Sequence, residues 1–188
     1  MRVKIGSRAS FFHGAAETHI YENDNLITEI QIPSDVIDVQ NYVLNNAIDL
    51  QTITLHEGIK SIAYSAFAGC SSLELGDVNL PNLESIGNLA FSKLKSIDDI
   101  NLPSLISIND AAFHSSGIKK VSNLGSITSL PGGQWSQNGI FRNCVNLISV
   151  VLPDTLETIT SSSGYSNCFN GCTSLKTINI NHIKEIGR

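Results

Sequence analysis

Residues 80–91 read LPNLESIGNLAF and residues 102–113 read LPSLISINDAAF. Leu, Pro, Leu, Ser, Ile, Ala and Phe recur at the same places, 22 residues apart, and this recurrence decides the fold. Just before each stretch, Val78-Asn79-Leu80 and Ile100-Asn101-Leu102 alternate apolar and polar residues. Period two is the signature of a short strand with one face buried. The Leu-x-x-Ile that follows reads as a second extended piece, and Ala-Phe as a corner where a ring fills the core.

The pattern extends in both directions. Towards the N-terminus it runs through Ile53, Leu55, Ile59, Ile62, Ala66, Phe67 and Cys70, and before that through Ile27, Ile30, Ile32, Val36 and Val39. Towards the C-terminus it runs through Val150, Leu152, Leu156, Ile159, Phe169 and Cys172, then Leu175, Ile178, Ile180, Ile183 and Ile186. The unit at Ile118 and Val121 breaks at Asn123 and resumes at Ile127 and Leu130. The ring position is read as Tyr21, Val43, Phe67, Phe91, Phe113, Phe141 and Phe169, with spacings of 22 to 28 residues. A unit of this size buries about six large apolar side chains at roughly 1.5–3 kcal/mol each. Ordering it costs about 1.5 kcal/mol per residue. One unit alone is therefore unstable, and stacking is what makes the apolar positions a continuous core.

The pattern Leu-x-x-Ile-x-Leu-Pro-x-x-Leu-x-x-Ile-Gly-x-x-Ala-Phe-x-x-Cys, clearest at Ile59–Cys70 and Leu80–Phe91, resembles the BspA-like (Treponema-type) leucine-rich repeat. The resemblance implies a right-handed solenoid, α/β by convention but strand-dominated, with short parallel strands and short helical turns. It also implies a non-enzymatic module of a bacterial cell-surface protein that binds a protein partner, such as a host matrix or surface protein. It carries no catalytic residue and no cofactor. Residues 1–20 are expected to form an N-terminal flank or cap. Residues 21–188 are expected to form an array of about seven units, the last incomplete. That unfinished end leads us to expect a fragment or end-to-end self-association.

Composition narrows the function further. A net charge of −5 with no basic cluster argues against nucleic acid and anionic membranes. No apolar run approaches the ~18 residues of a membrane span. The N-terminal MRVKIGSRASFF lacks the apolar stretch of a signal peptide, so a cytoplasmic location is the alternative to the surface.

Candidate residues follow from departures and from outward positions. Leu130 and Phe141 are eleven residues apart and Ile159 and Phe169 ten, where three other units have five. The insertions 131–139 and 160–167 should therefore leave one edge side by side, presenting Trp135, Gln134, Asn138 and Tyr165 among small residues. Such mixtures suit binding loops, although Trp135 folded back over apolar surface is an equal reading. On the strand face, Asp77, Asn79, Asp99 and Asn101 should stack as two ladders, either an ordinary solvated surface or a partner-binding or cation-binding face. Cys70, Cys144, Cys168 and Cys172 all fall on repeat positions and read as buried thiols, with a Cys144–Cys172 disulfide as the minor alternative. The histidines are scattered and read as surface or loop residues. Two further functions compete: a structural spacer within a larger protein, and a polysaccharide-cleaving β-solenoid enzyme.

Overall fold

The computed structural model describes residues 3–7, 17–130, 139–159 and 168–186. It opens with an antiparallel unit in which β1 (Val3–Ser7) pairs β2 (Thr18–Glu22) and β2 pairs β3 (Asn25–Leu26). Strands then come in pairs, one for each wall of a coil. The pairs are β4 (Glu29–Gln31) and β5 (Asp38–Val39), β6 (Thr52–Thr54) and β7 (Ser61–Ile62), then β8 (Glu74–Asn79) and β9 (Ser85–Ile86). Next come β10 (Ser96–Asn101) and β11 (Ser107–Ile108), then β12 (Ile118–Asn123), which has no second-wall strand among the described residues of its coil. The last are β13 (Ser149–Val150) and β14 (Thr158–Ile159), β15 (Thr177–Ile178) and β16 (Glu185–Ile186).

Pairing runs between coils and is parallel throughout the array. The first wall holds a β4-β6 pair and a five-stranded sheet ordered β15-β13-β12-β10-β8; the second holds β11-β9-β7-β5 and β14-β16. Val78, Ile100, Val121, Val150 and Ile178 lie in register across the first wall, and Val39, Ile62, Ile86 and Ile108 across the second. Between the walls runs a spine of phenylalanines. Phe67, Phe91, Phe113, Phe141 and Phe169 sit 5.2–5.6 Å apart, ring centre to ring centre, the last four nearly parallel. Each such ring pair adds about 0.5–1.5 kcal/mol to the burial itself.

The expected helical turns are absent among the described residues, and the corner around each Phe shows why. Ser65, Phe67 and Gly69 donate their N–H groups to Asn88, Ala90 and Ser92 of the next coil. The residues between them, Ala66, Ala68 and Cys70, bond back three positions to Ala63, Ser65 and Phe67. Alternate N–H groups therefore leave the segment, and no helical ladder can propagate. The dihedrals agree. Two residues before and two after the ring the backbone is left-handed: Ser65 (φ 51°) and Gly69 (77°), Leu89 (60°) and Lys93 (59°), Ala111 (56°) and Ser115 (56°). Each left-handed residue ends a helical run.

Three readings of the repeat need correction. In the first coil Leu44, not Val43, takes the ring position, because it is Leu44 that donates to Ala66; Leu44 is buried and Val43 is 41% exposed. Tyr21 lies outside the ring column, exposed on β2, while its neighbour Ile20 enters the core. The break at Asn123 is a one-residue register shift after Ile100 and Val121, and Leu124 fills the apolar place. Among the described residues no helix is long and apolar enough to cross a membrane.

Candidate functional site

The strand face carries the ladders anticipated from sequence. Asp77 pairs in register with Asp99 and Asp99 with Lys120, while Asn79 pairs with Asn101 and Asn101 with Asn123. The Asn101 amide donates to Asn79 Oδ1 at 2.9 Å. Lys120 Nζ lies 2.9 Å from Asp99 Oδ2, while Asp99 Oδ1 is buried and without a hydrogen-bond partner. The face is wider than alternation implies. Leu75 and Val78, Ile97 and Ile100, and Ile118 and Val121 are all buried three apart, so two residues between each pair point outward. Asp98 joins the surface in this way, 2.6 Å from Lys119. The x-x spacing of those apolar pairs was the signal for it.

A groove of ≈ 300 Å³, which sequence reasoning missed, opens between β6 and β8 and is lined by Thr54, Leu55, Asp77 and Asn79 among others. Here the first wall is interrupted: β6 ladders only to β4, and Glu74 N–H to Gln51 O, at 2.9 Å, is the main-chain bond joining the two strands' approaches. The cause is local. Leu73 to Val78 is two residues longer than Leu50 to Ile53, which offsets β8 from β6.

Trp135, Gln134, Asn138 and Tyr165 lie outside the described residues. The segments that flank them are clear. Phe141 N–H donates to Cys168 O and Phe113 N–H to Ile140 O, so both flanks rise from adjacent coils at the ring corner. Along the same kind of corner, sequence reasoning also missed an exposed aromatic pair. Tyr42 and Tyr64 meet edge to face with ring centres 5.1 Å apart. Further along are Lys93, His114 and Arg142. Burial lowers the His114 imidazole's pKa below its usual value, and Arg142 and Lys93 lower it further.

All four cysteines are buried and none is in a disulfide. Cys70, Cys144 and Cys172 each donate to a carbonyl of the preceding coil, from Leu44, Phe113 and Phe141, at 2.9–3.0 Å. Burial pushes the first two thiols up to about 12 and the third to about 11, so the nucleophilic thiolate is disfavoured. No Cys144–Cys172 disulfide forms. Of the histidines, His13 lies outside the described residues; His19 is held by Asp49 at 2.5 Å, and His56 accepts from Gly58 N–H. Among the described residues no group of three or more His, Cys, Asp or Glu is placed to hold a metal.

The family model for the BspA type leucine rich repeat region matches residues 16–138 and 136–188, in six copies. This chain belongs to the BspA-type leucine-rich repeat family. The coil of this BspA-type protein also has solved counterparts. A leucine-rich repeat protein from Bacteroides ovatus ATCC 8483 is 25% identical with a TM-score of 0.69, the match covering 98% of this chain and 54% of that one. A Leucine Rich Repeat protein of T. pallidum is 24% identical (TM-score 0.48), with 85% of this chain and 56% of that one covered. A leucine rich cell surface protein from Faecalibacterium prausnitzii A2-165 is 16% identical (TM-score 0.37), with 81% and 59% covered. The chain thus spans a little over half the length of these solved relatives. Among curated proteins none is similar to it in sequence.

Proposed function

We propose that this BspA-type array is a non-enzymatic recognition module of a bacterial surface protein, binding a protein partner in an adhesion-type contact. The observation that carries the reading is the in-register polar ladder on an open parallel sheet. Asp77, Asn79, Asp99 and Asn101 are fixed by β8 and β10 at one spacing, and small amide and carboxylate groups offer many hydrogen bonds. Trp135, Gln134, Asn138 and Tyr165 form the second contact region. The antiparallel unit of β1–β3 packs on the first coil: Ile20 is buried and Thr18 bridges Ala47.

The test is binding of the purified chain to immobilised matrix and host surface proteins. Beside it run Asp77→Arg/Asn79→Arg and Trp135→Ala/Tyr165→Ala, each checked for folding by circular dichroism. A partner lost on the first variant assigns recognition to the strand face, and one lost on the second to the insertions. Silence across the panel would sink the adhesion reading in favour of a structural spacer.

A further inference from the structure

Just past the first-wall strands, single main-chain bonds tie one coil to the next. Ile32 N–H donates to Thr54 O at 3.1 Å, Leu80 N–H to Asn101 O at 3.3 Å and Leu102 N–H to Asn123 O at 3.1 Å. The matching bond from Leu55 N–H to Asn79 O is missing at the seam between β6 and β8. Among the described residues neither the N–H nor the C=O of Leu55 has a hydrogen-bond partner. Leu55 is also half-buried, whereas Leu80 and Leu102 are buried. A later coil shows what such a pair of groups takes. Leu152 follows Val150 as Leu55 follows Ile53, by two residues, and Asn179 follows Ile178 as Asn79 follows Val78. There Asn179 Oδ1 accepts from Leu152 N–H at 2.6 Å, and its amide donates to Leu152 O at 2.9 Å. Asn79 does not repeat this: its Oδ1 is engaged by the Asn101 amide of the next coil.

We propose that the seam at Leu55 is a site for a primary carboxamide, an Asn or Gln side chain of the protein partner, and that Asn101 keeps it open by holding the Asn79 amide away. The inference rests on the recognition-module reading and names its chemistry. Leu55 offers one donor and one acceptor, and a carboxamide answers both, as Asn179 does at Leu152. A Lys or Arg head cannot accept from Leu55 N–H, and a carboxylate cannot donate to Leu55 O. The groove is lined by Asp77 and Glu74 and by no cation, which works against an anion. The half-buried Ile53 and Leu55 give the stem of the incoming side chain an apolar floor. Glu74 N–H bonds Gln51 O at 2.9 Å, so the approaches to the two strands are direct neighbours and no further strand fits between them. The second wall and the ring corner stay bonded across the seam, Ile62 to Ile86 and Phe67 N–H to Ala90 O, so the groove belongs to the folded chain itself.

The experiment is heteronuclear NMR of the full chain titrated with acetyl-Gly-Gln-Gly-N-methylamide, whose one primary carboxamide is the Gln side chain. We expect the Leu55 N–H resonance to move saturably with this probe and to stay still with the Glu analogue. Asn101→Ala frees Asn79 to close on Leu55 as Asn179 closes on Leu152. In that variant the shift should be lost, and hydrogen exchange of the Leu55 amide should slow about fivefold, the worth of one ordinary hydrogen bond. Asn79→Ala/Asn101→Ala leaves no amide to close the seam and should restore the shift, which a direct contact of the probe with Asn101 would not allow. An unmoved Leu55 resonance, an equal shift with the Glu analogue or with a neutral oligosaccharide, or no rescue in the double variant overturns the proposal. If matrix partners bind while Leu55 stays unmoved, the seam fails and the recognition module stands. If Leu55 answers the probe while every matrix partner is silent, the carboxamide site stands and the adhesion reading fails.

Discussion

Phe113 and Phe169 occupy the same place in the repeat and do not share the same fate. Phe113 is stacked on both faces, by Phe91 and Phe141, and is fully buried; Phe169 is stacked on one face and only partly buried. The same contrast separates Val121 and Val150 from Ile178 on the first wall. Identical sequence signals thus produce unequal burial, because in a solenoid the neighbouring coils supply what covers a residue. Stability here belongs to the interface between coils rather than to the coil.

The largest effect should come from testing that directly. Phe113→Ala should cost about 3–5 kcal/mol, the range for a fully buried ring. Phe169→Ala should cost about half of that, in proportion to the apolar area it hides. Urea denaturation of both variants measures the difference, and equal losses would mean that stacking on the second face adds nothing. Next in size is close approach between coils. A Cβ at Gly117 would lie 2.0 Å from Lys95 O, whereas one at Gly76, beside the groove, meets nothing within 4 Å. Gly117→Ala should therefore destabilise by about 2 kcal/mol and Gly76→Ala by less than about 0.5 kcal/mol. Equal losses at the two sites would contradict the open seam between β6 and β8.

Much of this was legible in the sequence for a reason the comparison makes plain. Phe67, Phe91, Phe113 and Phe141 contact their own counterparts in the next coil, so one periodic pattern reports both local structure and packing. Asp77 and Asp99, or Asn79 and Asn101, became neighbours by the same logic. What could not be read is whatever depends on small differences between coils. Leu44, by contrast, was legible: it follows Val39 by five residues, the spacing of Ile62 to Phe67, and Val43 falls one short of it. The β6–β8 groove follows from two extra residues before Val78, which as sequence look like any other variation in length. The short helical turns that the resemblance implied do not form at the corner because Ser65, Leu89 and Ala111 are ordinary residues in the left-handed region, where no residue preference announces them.

Backbone strain should break the contrast between middle and end. The left-handed position two residues after the ring is imposed at every corner, by Lys93 (φ 59°) in the middle and by Gly171 (φ 78°) in a later coil. Glycine is the residue that region favours. Lys93→Gly should stabilise by about 0.5–1 kcal/mol, the relief of strain less the added freedom of the unfolded chain. Gly171→Ala should destabilise by about 1–2 kcal/mol. A Cβ there would also crowd Asn143 Oδ1, at 2.4 Å, although that side chain can swing aside. Thermal denaturation of both variants decides, and an effect at one site only would show that strain, like burial, depends on the place in the stack.

The smallest effect is electrostatic and belongs to the middle of the stack. Burial, then Arg142, then Lys93, lower the pKa of His114. The unfolded imidazole titrates near its ordinary value of 6.5. As pH falls through that value the unfolded chain takes up a proton that the folded chain resists, so the folded state loses stability. The contribution is present above the unfolded pKa and is lost progressively below it. Asp110 works in the opposite sense at lower pH, because burial raises its carboxyl, so the histidine effect is read above the carboxylate range. His114→Gln removes the titrating group at this corner. Between mildly alkaline and mildly acidic buffer its urea midpoint should shift less than that of the native chain, and parallel shifts would show that His114 does not carry the effect.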